Sequence, residues 1–335
     1  MMAPRDSRTV GFYWQPAGDD HQRALALLDE TGANAVFVSY RALAQAPIAE
    51  LRRRGLRLYV DWTIFAGEDL RAAFPDSVPM DAAGNAFERD GWYVPACPTH
   101  PQLRARHLEA MAALLDRQGA QIDGLWLDFI RFPIRWEGAQ PPLAQHCFCP
   151  RCLSLFLGEE RDYMTPAEAR ALAETILQTR PDEWVEWKCT VIAQFVQAVR
   201  GAITARGLPV QLGIFSLPWR RADYDGAIRA IAGQDLGRLA ADVDFFSPMV
   251  YHWLCHRPAA WVAAVVEDVQ QWTGRPVLPI VQSIDRPDPM PPEELDAALA
   301  SALGASTAGA MIFTLDPLLE SAAKATVARR WFRAA

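Results

Sequence analysis

The chain has 335 residues, 51% of them hydrophobic and 22% charged, with a formal net charge of −7 and a pI near 5.4. That length supports one large core or two ordinary ones. The acidic balance, with no Lys/Arg run, argues against nucleic acid and anionic membrane as partners.

Met1–Thr9 is polar, and no secretory or transmembrane stretch is legible, so the expected location is cytoplasmic. Short apolar runs rich in Val, Ile, Phe and Tyr then recur eight times: Thr9–Trp14, Ala35–Tyr40, Arg57–Thr63, Gly124–Ile130, Val210–Leu217, Phe245–Trp253, Val277–Ile284 and Gly309–Asp316. Such runs read as strands buried on both faces. Amphipathic patterns alternate with them: His21–Thr31, Leu43–Arg54, Gln102–Gln118, Asp182–Ala205, Ala222–Ala232, Ala259–Trp272, Pro292–Leu303 and Leu318–Phe332. Gly32, Gly55, Gly119, Gly207 and Gly274 stand where helix C-caps are expected. Eight strand–helix units predict a single (β/α)8 TIM barrel over residues 1–335. A doubly wound open sheet is the alternative, but no Gly-x-Gly-x-x-Gly follows the first strand.

Two connections are too long for simple loops: Ile64 to Pro101 after strand three, and Pro133 to about Pro181 after strand four. Both leave C-terminal strand ends, the catalytic face of a barrel. The first carries Cys97, and the second, Cys-rich region (133–181) carries His146-Cys147-Phe148-Cys149-Pro150-Arg151-Cys152. Cys-Pro-x-Cys is a tight turn that aims two thiolates at one point. Cys147 and Cys97 would complete a closed, all-thiolate, structural zinc site. His146 or His100 could replace one cysteine, and free thiols or disulfides are the other readings. Cys189 lies in a helical stretch and reads as core; Cys255 has no assigned role.

The run Gly124-Leu125-Trp126-Leu127-Asp128-Phe129-Ile130-Arg131-Phe132-Pro133 ends an apolar strand in a carboxylate. Burying an ionised carboxylate costs several kcal/mol unless it is paired, so the placement points to function. Asp61, Asp285 and Asp316 stand at other expected strand tips, with helix capping the plainer reading for Asp316 and a fair one for Asp285. Carboxylates converging on one cavity perturb each other's titration, the arrangement used in glycoside hydrolysis. Asp128 is the expected nucleophile or essential carboxylate, with Arg131 as its orienting partner. Asp61, Asp285 and His252 compete for the acid/base role. Trp14, Trp62, Trp219, Trp253 and Tyr251 are candidate sugar platforms, and Gln282 is a neutral hydrogen-bonding candidate.

The four-cysteine order resembles the zinc loop of glycoside hydrolase family 42 β-galactosidases, which place one Cys after strand three and Cys-x-Cys-x-x-Cys after strand four. Cys97-Pro98-Thr99-His100-Pro101, the stretch Asp123–Pro133 and Ser247-Pro248-Met249-Val250-Tyr251-His252 resemble the group of glycoside-hydrolase barrels called "family 10-like". The resemblance implies a barrel acting on carbohydrate. It departs from family 42 at strand four, where that family has Asn-Glu and this chain has Asp128, and at strand seven, where a Glu is replaced by Gln282. The family 42 catalytic residues therefore do not carry over. A non-catalytic glycan-binding barrel with a structural zinc is the alternative function, and a metal-dependent hydrolase is disfavoured because thiolates would close the metal site. A homo-oligomer is compatible with the sequence.

Overall fold

The computed structural model describes residues 8–17, 21–159 and 164–335. Met1–Ser7 of the polar start, Gly18–Asp20, and Glu160–Tyr163 of the Cys-rich region lie outside the described residues.

The eight apolar runs pair as parallel strands: β1 (Thr9–Trp14), β2 (Ala35–Ser39), β3 (Arg57–Thr63), β4 (Gly124–Asp128), β5 (Gln211–Ser216), β6 (Phe245–Pro248), β7 (Ile280–Gln282) and β8 (Gly309–Phe313). Their order is β6-β5-β4-β3-β2-β1-β8-β7. Parallel bridges Phe246↔Val277 and Met249↔Ile280 join β6 to the entry and start of β7, so the sheet curls into a nearly closed barrel. The (β/α)8 expectation holds. The outer layer includes α1 (Gln22–Thr31), α2 (Ile48–Arg53), α3 (Glu68–Ala73), α4 (Pro101–Gln118), α5 (Pro150–Leu157), α6 (Pro166–Thr179) and α7 (Pro181–Thr204). It continues through α8 (Ala227–Ala230), α9 (Leu236–Leu239), α10 (Ala260–Thr273), α11 (Pro292–Ala305), α12 (Asp316–Glu320) and α13 (Ala322–Phe332).

Several strands are shorter than their apolar runs suggest. β4 stops at Asp128 because Phe129 turns left-handed (φ 51°). β6 stops at Pro248 and β8 at Phe313, so Asp316 is no strand tip but opens a short helix, α12. Leu43–Arg54 divides into a 3-10 turn and α2, since Pro47 donates no backbone hydrogen bond. Ala222–Ala232 is likewise broken, with Tyr224 and Asp225 left-handed before the four-residue α8. Gly119 is not a left-handed cap: it is right-handed, and a Cβ there would lie 2.4 Å from Leu208 Cδ1, so close packing selects it.

The barrel interior has an aromatic floor. The Trp126 ring centroid lies 5.0 Å from that of Phe37 and 4.6 Å from that of Tyr59, and the Trp126 indole donates to Ser247 Oγ at 2.9 Å. Space for it comes from missing side chains: a Cβ on Gly213 would lie 2.1 Å from the indole, and one on Gly124 2.6 Å. Register sets Asp61 beside Trp126 and Thr63 beside Asp128. Because side chains alternate, Asp61, Trp126 and Asp128 share the inner face, with the carboxylates at or above the floor on the C-terminal side.

Candidate active site and candidate metal centre

Three carboxylates meet at the barrel mouth. Asp61 is 3% exposed; its Oδ2 accepts from the Tyr13 hydroxyl at 2.6 Å, and its Oδ1 is buried with no partner among the described residues. Burial, reinforced by the charge of Asp128, pushes the Asp61 carboxyl well above the usual range. The Asp128 side chain is 18% exposed, and its Oδ1 accepts from the Phe129 amide at 2.7 Å. Burial raises Asp128 to about 6, with the Glu137 charge adding to the rise while Arg131 and the Phe129 amide oppose it. Glu137 stands on the loop after β4, held by Arg135 Nε at 2.9 Å and the Trp136 amide at 3.2 Å.

Arg131 fills the orienting position: its Nη1 is 3.8 Å from Asp128 Oδ1, and its guanidinium lies 4.5 Å over the Phe129 ring. Its Nε and Nη1 are buried and make no hydrogen bond among the described residues. Phe129, a bulky residue in a left-handed conformation beside the carboxylate, places strain where functional sites store it. Tyr251 completes the wall, stacked on Phe313 at 5.2 Å, and burial with the charges of Asp128 and Asp61 holds its phenol well above the ordinary value.

Other sequence candidates sit elsewhere. Asp285 is exposed, bonded to Lys324 Nζ at 2.7 Å and to the Met290 amide at 2.8 Å. His252 is buried, with Nε2 3.1 Å from Glu294 Oε2 on α11. Neither shares a hydrogen bond or ion pair with Asp61 or Asp128 among the described residues. Gln282 is buried, accepting from the Leu254 amide at 2.8 Å and donating to the Ile284 and Arg286 carbonyls at 3.1 and 3.0 Å. Pleat alternation turns Trp14 and Trp62 outward, away from the mouth. Trp14 meets His21 edge-on, and Trp62 stacks on Tyr40 at 3.7 Å while donating to His107 Nδ1 at 3.0 Å. Trp253 donates to the Asp288 carbonyl at 3.1 Å. Trp219 instead lines a cavity of about 110 Å³ with Trp136, Tyr224 and Trp261. Its neighbour in that lining, Trp136, lies 5.7 Å from Tyr251.

Sequence reasoning missed Glu137, Trp136 and Tyr13. Tyr13 was legible, because alternation and register place it inward near the strand end. Glu137 and Trp136 lie in irregular chain where no period marks orientation.

The thiols of Cys97, Cys147, Cys149 and Cys152 are buried, free of disulfides, and lie within 4.8 Å of one another. Cys97 Sγ is 3.7 Å from Cys149 Sγ and 3.4 Å from Cys152 Sγ. Metal–sulfur bonds near 2.3 Å in a tetrahedron require sulfurs about 3.8 Å apart, so the set fits a closed metal site. Hydrogen bonds from the other three thiols hold Cys97 well below its ordinary value, whereas burial pushes Cys147 and Cys152 up. Holding all four as thiolates would therefore take a bound cation. His100 is committed to Asp76 and to capping α4, and His146 packs on Phe87, so neither replaces a cysteine in the cluster. The site is knitted by backbone bonds from Phe148 N to Met80 O at 2.8 Å and Cys97 N to Ser77 O at 2.7 Å, and it joins the two long excursions.

No family model and no curated protein matches the chain. Solved structures are similar in fold. The glycoside hydrolase domain of PgaB (BpsB) from Bordetella bronchiseptica is 15% identical with a TM-score of 0.67, over 96% of this chain and 98% of that one. A β-galactosidase from the psychrophilic Marinomonas ef1 is 11% identical with a TM-score of 0.71, over 97% of this chain and 59% of that one. The α-L-fucosidase isoenzyme 2 of Paenibacillus thiaminolyticus is 15% identical with a TM-score of 0.60, over 98% and 49%. The chain thus spans nearly all of the PgaB domain and about half of the other two proteins.

Proposed function

We propose that the chain is a glycoside hydrolase with Asp128 as its essential carboxylate. The observation that carries the reading is one partly exposed acid at the C-terminal end of β4, titrating at about 6 among other carboxylates. Glycosidic cleavage needs one carboxyl protonated and another charged near neutral pH, and neighbouring acids with different surroundings provide that. A raised value suits Asp128 to deliver the proton to the leaving oxygen. Glu137, whose charge reaches Asp128 from the loop side, is the candidate second carboxylate. Asp61 is the buried positioning acid beneath, pushed up by burial and held by Tyr13. The fold shared with glycoside hydrolases supports this reading as analogy.

The cysteine cluster takes zinc in this reading, because a closed tetrathiolate is the structural zinc site. Cys97, Cys147, Cys149 and Cys152 would hold it, and it would fix the two mouth-forming excursions without touching substrate. The expected substrate is an oligosaccharide or glycoside.

The test is product release from a panel of α- and β-linked glycosides by wild type and Asp128→Asn in parallel. Turnover that drops about 1,000-fold in the variant supports the assignment. Turnover unchanged in the variant removes Asp128 from the chemistry. Sugar binding with no product from either protein favours the non-catalytic, glycan-binding reading instead.

A further inference from the structure

The cavity walled by Trp136, Trp219, Trp261 and Tyr224 has an unbalanced inventory of polar groups. Its volume of about 110 Å³ exceeds the roughly 10–15 Å³ that one water needs. Two guanidinium groups and one carboxylate line it: Arg220, Arg257 and Asp223. Arg220 and Asp223 cancel, with Nη2 and Nε of Arg220 on Asp223 Oδ1 at 2.8 and 3.0 Å. Arg257 has no carboxylate partner among the described residues. One of its nitrogens, Nη2, donates to the Tyr224 hydroxyl at 2.8 Å, which fixes the guanidinium at the rim. Tyr224 is itself held in a left-handed conformation (φ 52°), with its ring 5.2 Å from Trp219.

The remaining lining is three tryptophans, Tyr224, Cys255 and Gly138. The indole N–H groups of Trp136, Trp219 and Trp261 make no hydrogen bond among the described residues. Cys255 stays a neutral thiol, because burial raises it to about 12. Aromatic walls suit the C–H face of a sugar ring. Arg257 is exposed, and its charge together with the uncommitted N–H groups matches a ligand that brings acceptors and negative charge.

We propose that this cavity is a subsite for an acidic pyranose, a sugar ring carrying a carboxylate, and that Arg257 reads the charge. Its place in turnover rests on the glycosidase reading, since Trp136 and Gly138 of the lining flank Glu137; binding itself does not.

Glucuronic acid and glucose, titrated separately into the full chain with calorimetry and tryptophan fluorescence, test this. Wild type is expected to bind glucuronic acid at least about 10-fold more tightly than glucose. Arg257→Gln removes that preference and leaves glucose binding in place. Tyr224→Phe, which frees Arg257 without changing charge, reduces the preference part of the way and serves if Arg257→Gln folds poorly. Equal affinity for the two sugars, a preference that survives Arg257→Gln, or no binding of either at millimolar concentration overturns the subsite. The two readings fail separately. A uronate preference without hydrolysis of any glycoside sinks the hydrolase alone, and hydrolysis of neutral glycosides without that preference sinks the subsite alone.

Discussion

The barrel mouth and the thiol cluster are built by the same two excursions, yet they solve opposite problems. Each gathers groups of one charge type in a space short of water. The thiol cluster is closed: its sulfurs face one another, Thr99 Oγ1 lies 3.1 Å from Cys97 Sγ, and the Met80 amide donates to Cys147 Sγ at 3.4 Å. The mouth is left open. Asp61 Oδ1 and two Arg131 nitrogens have no hydrogen-bond partner among the described residues, and Phe129 is strained beside them. Polar satisfaction marks a structural knot, whereas unpaired buried groups cost free energy and persist where a ligand will complete them. On the proposed reading, the difference gives stability to the cysteines and chemistry to the carboxylates.

The sharpest way to break this comparison is Asp128→Asn. Activity is expected to fall about 1,000-fold while the protein becomes more stable at neutral pH by up to about 3 kcal/mol. The sign follows from linkage. The folded value, about 6, lies above the unfolded one of 3.8, so stability is full below pH 4 and is lost as pH rises through 6. Asn removes that loss, and urea titrations at pH 4 and pH 7.5 measure it. A variant that is both inactive and less stable at neutral pH would make the mouth structural.

Cys149→Ser should do the reverse. Bound zinc is expected to fall from one per chain to near none, with stability reduced by several kcal/mol, read by metal analysis and thermal melts. Chelation of wild type should lower the melting temperature in the same way. Loss of turnover with an unchanged melt would move the metal into the chemistry.

A smaller effect separates the carboxylates within the mouth. Glu137 raises the Asp128 value, so in the residual turnover of Glu137→Gln the alkaline limb of the kcat/KM profile, where the proton donor ionises, should move to lower pH by roughly half a unit. An unshifted limb would uncouple the two. The smallest change marks the edge of the site. Asp285→Asn breaks an ion pair between an exposed carboxylate and the buried Lys324, expected to cost about 1–3 kcal/mol with kcat unchanged. A large loss of kcat would return Asp285 to the acid/base role.

The barrel was legible because buried parallel strands announce themselves as apolar runs, and the cysteine cluster because three of its members lie within six residues of one another. The place of Asp128 at the end of β4 was legible for a similar reason, as a charge ending an apolar run. Strand ends were overestimated where backbone turns at Phe129 and after Pro248 interrupt runs that remain apolar in composition. Two tryptophans were misjudged because a strand tip offers two faces: Trp14 and Trp62 pack against the outside, while Trp219 and, from a loop without period, Trp136 line the cavity. Asp285 and His252 were chosen from chain position alone, and their partners Lys324 and Glu294 are on distant helices that no local pattern connects to them.

The most direct test of the account is the carboxyl-carbon NMR titration of Asp128 in the intact chain, assigned by its disappearance in Asp128→Asn. A midpoint near 6 is predicted, moving down in Glu137→Gln. A midpoint near the ordinary 3.8 would contradict the account, because the carboxylate at the end of β4 would then be an unperturbed surface acid.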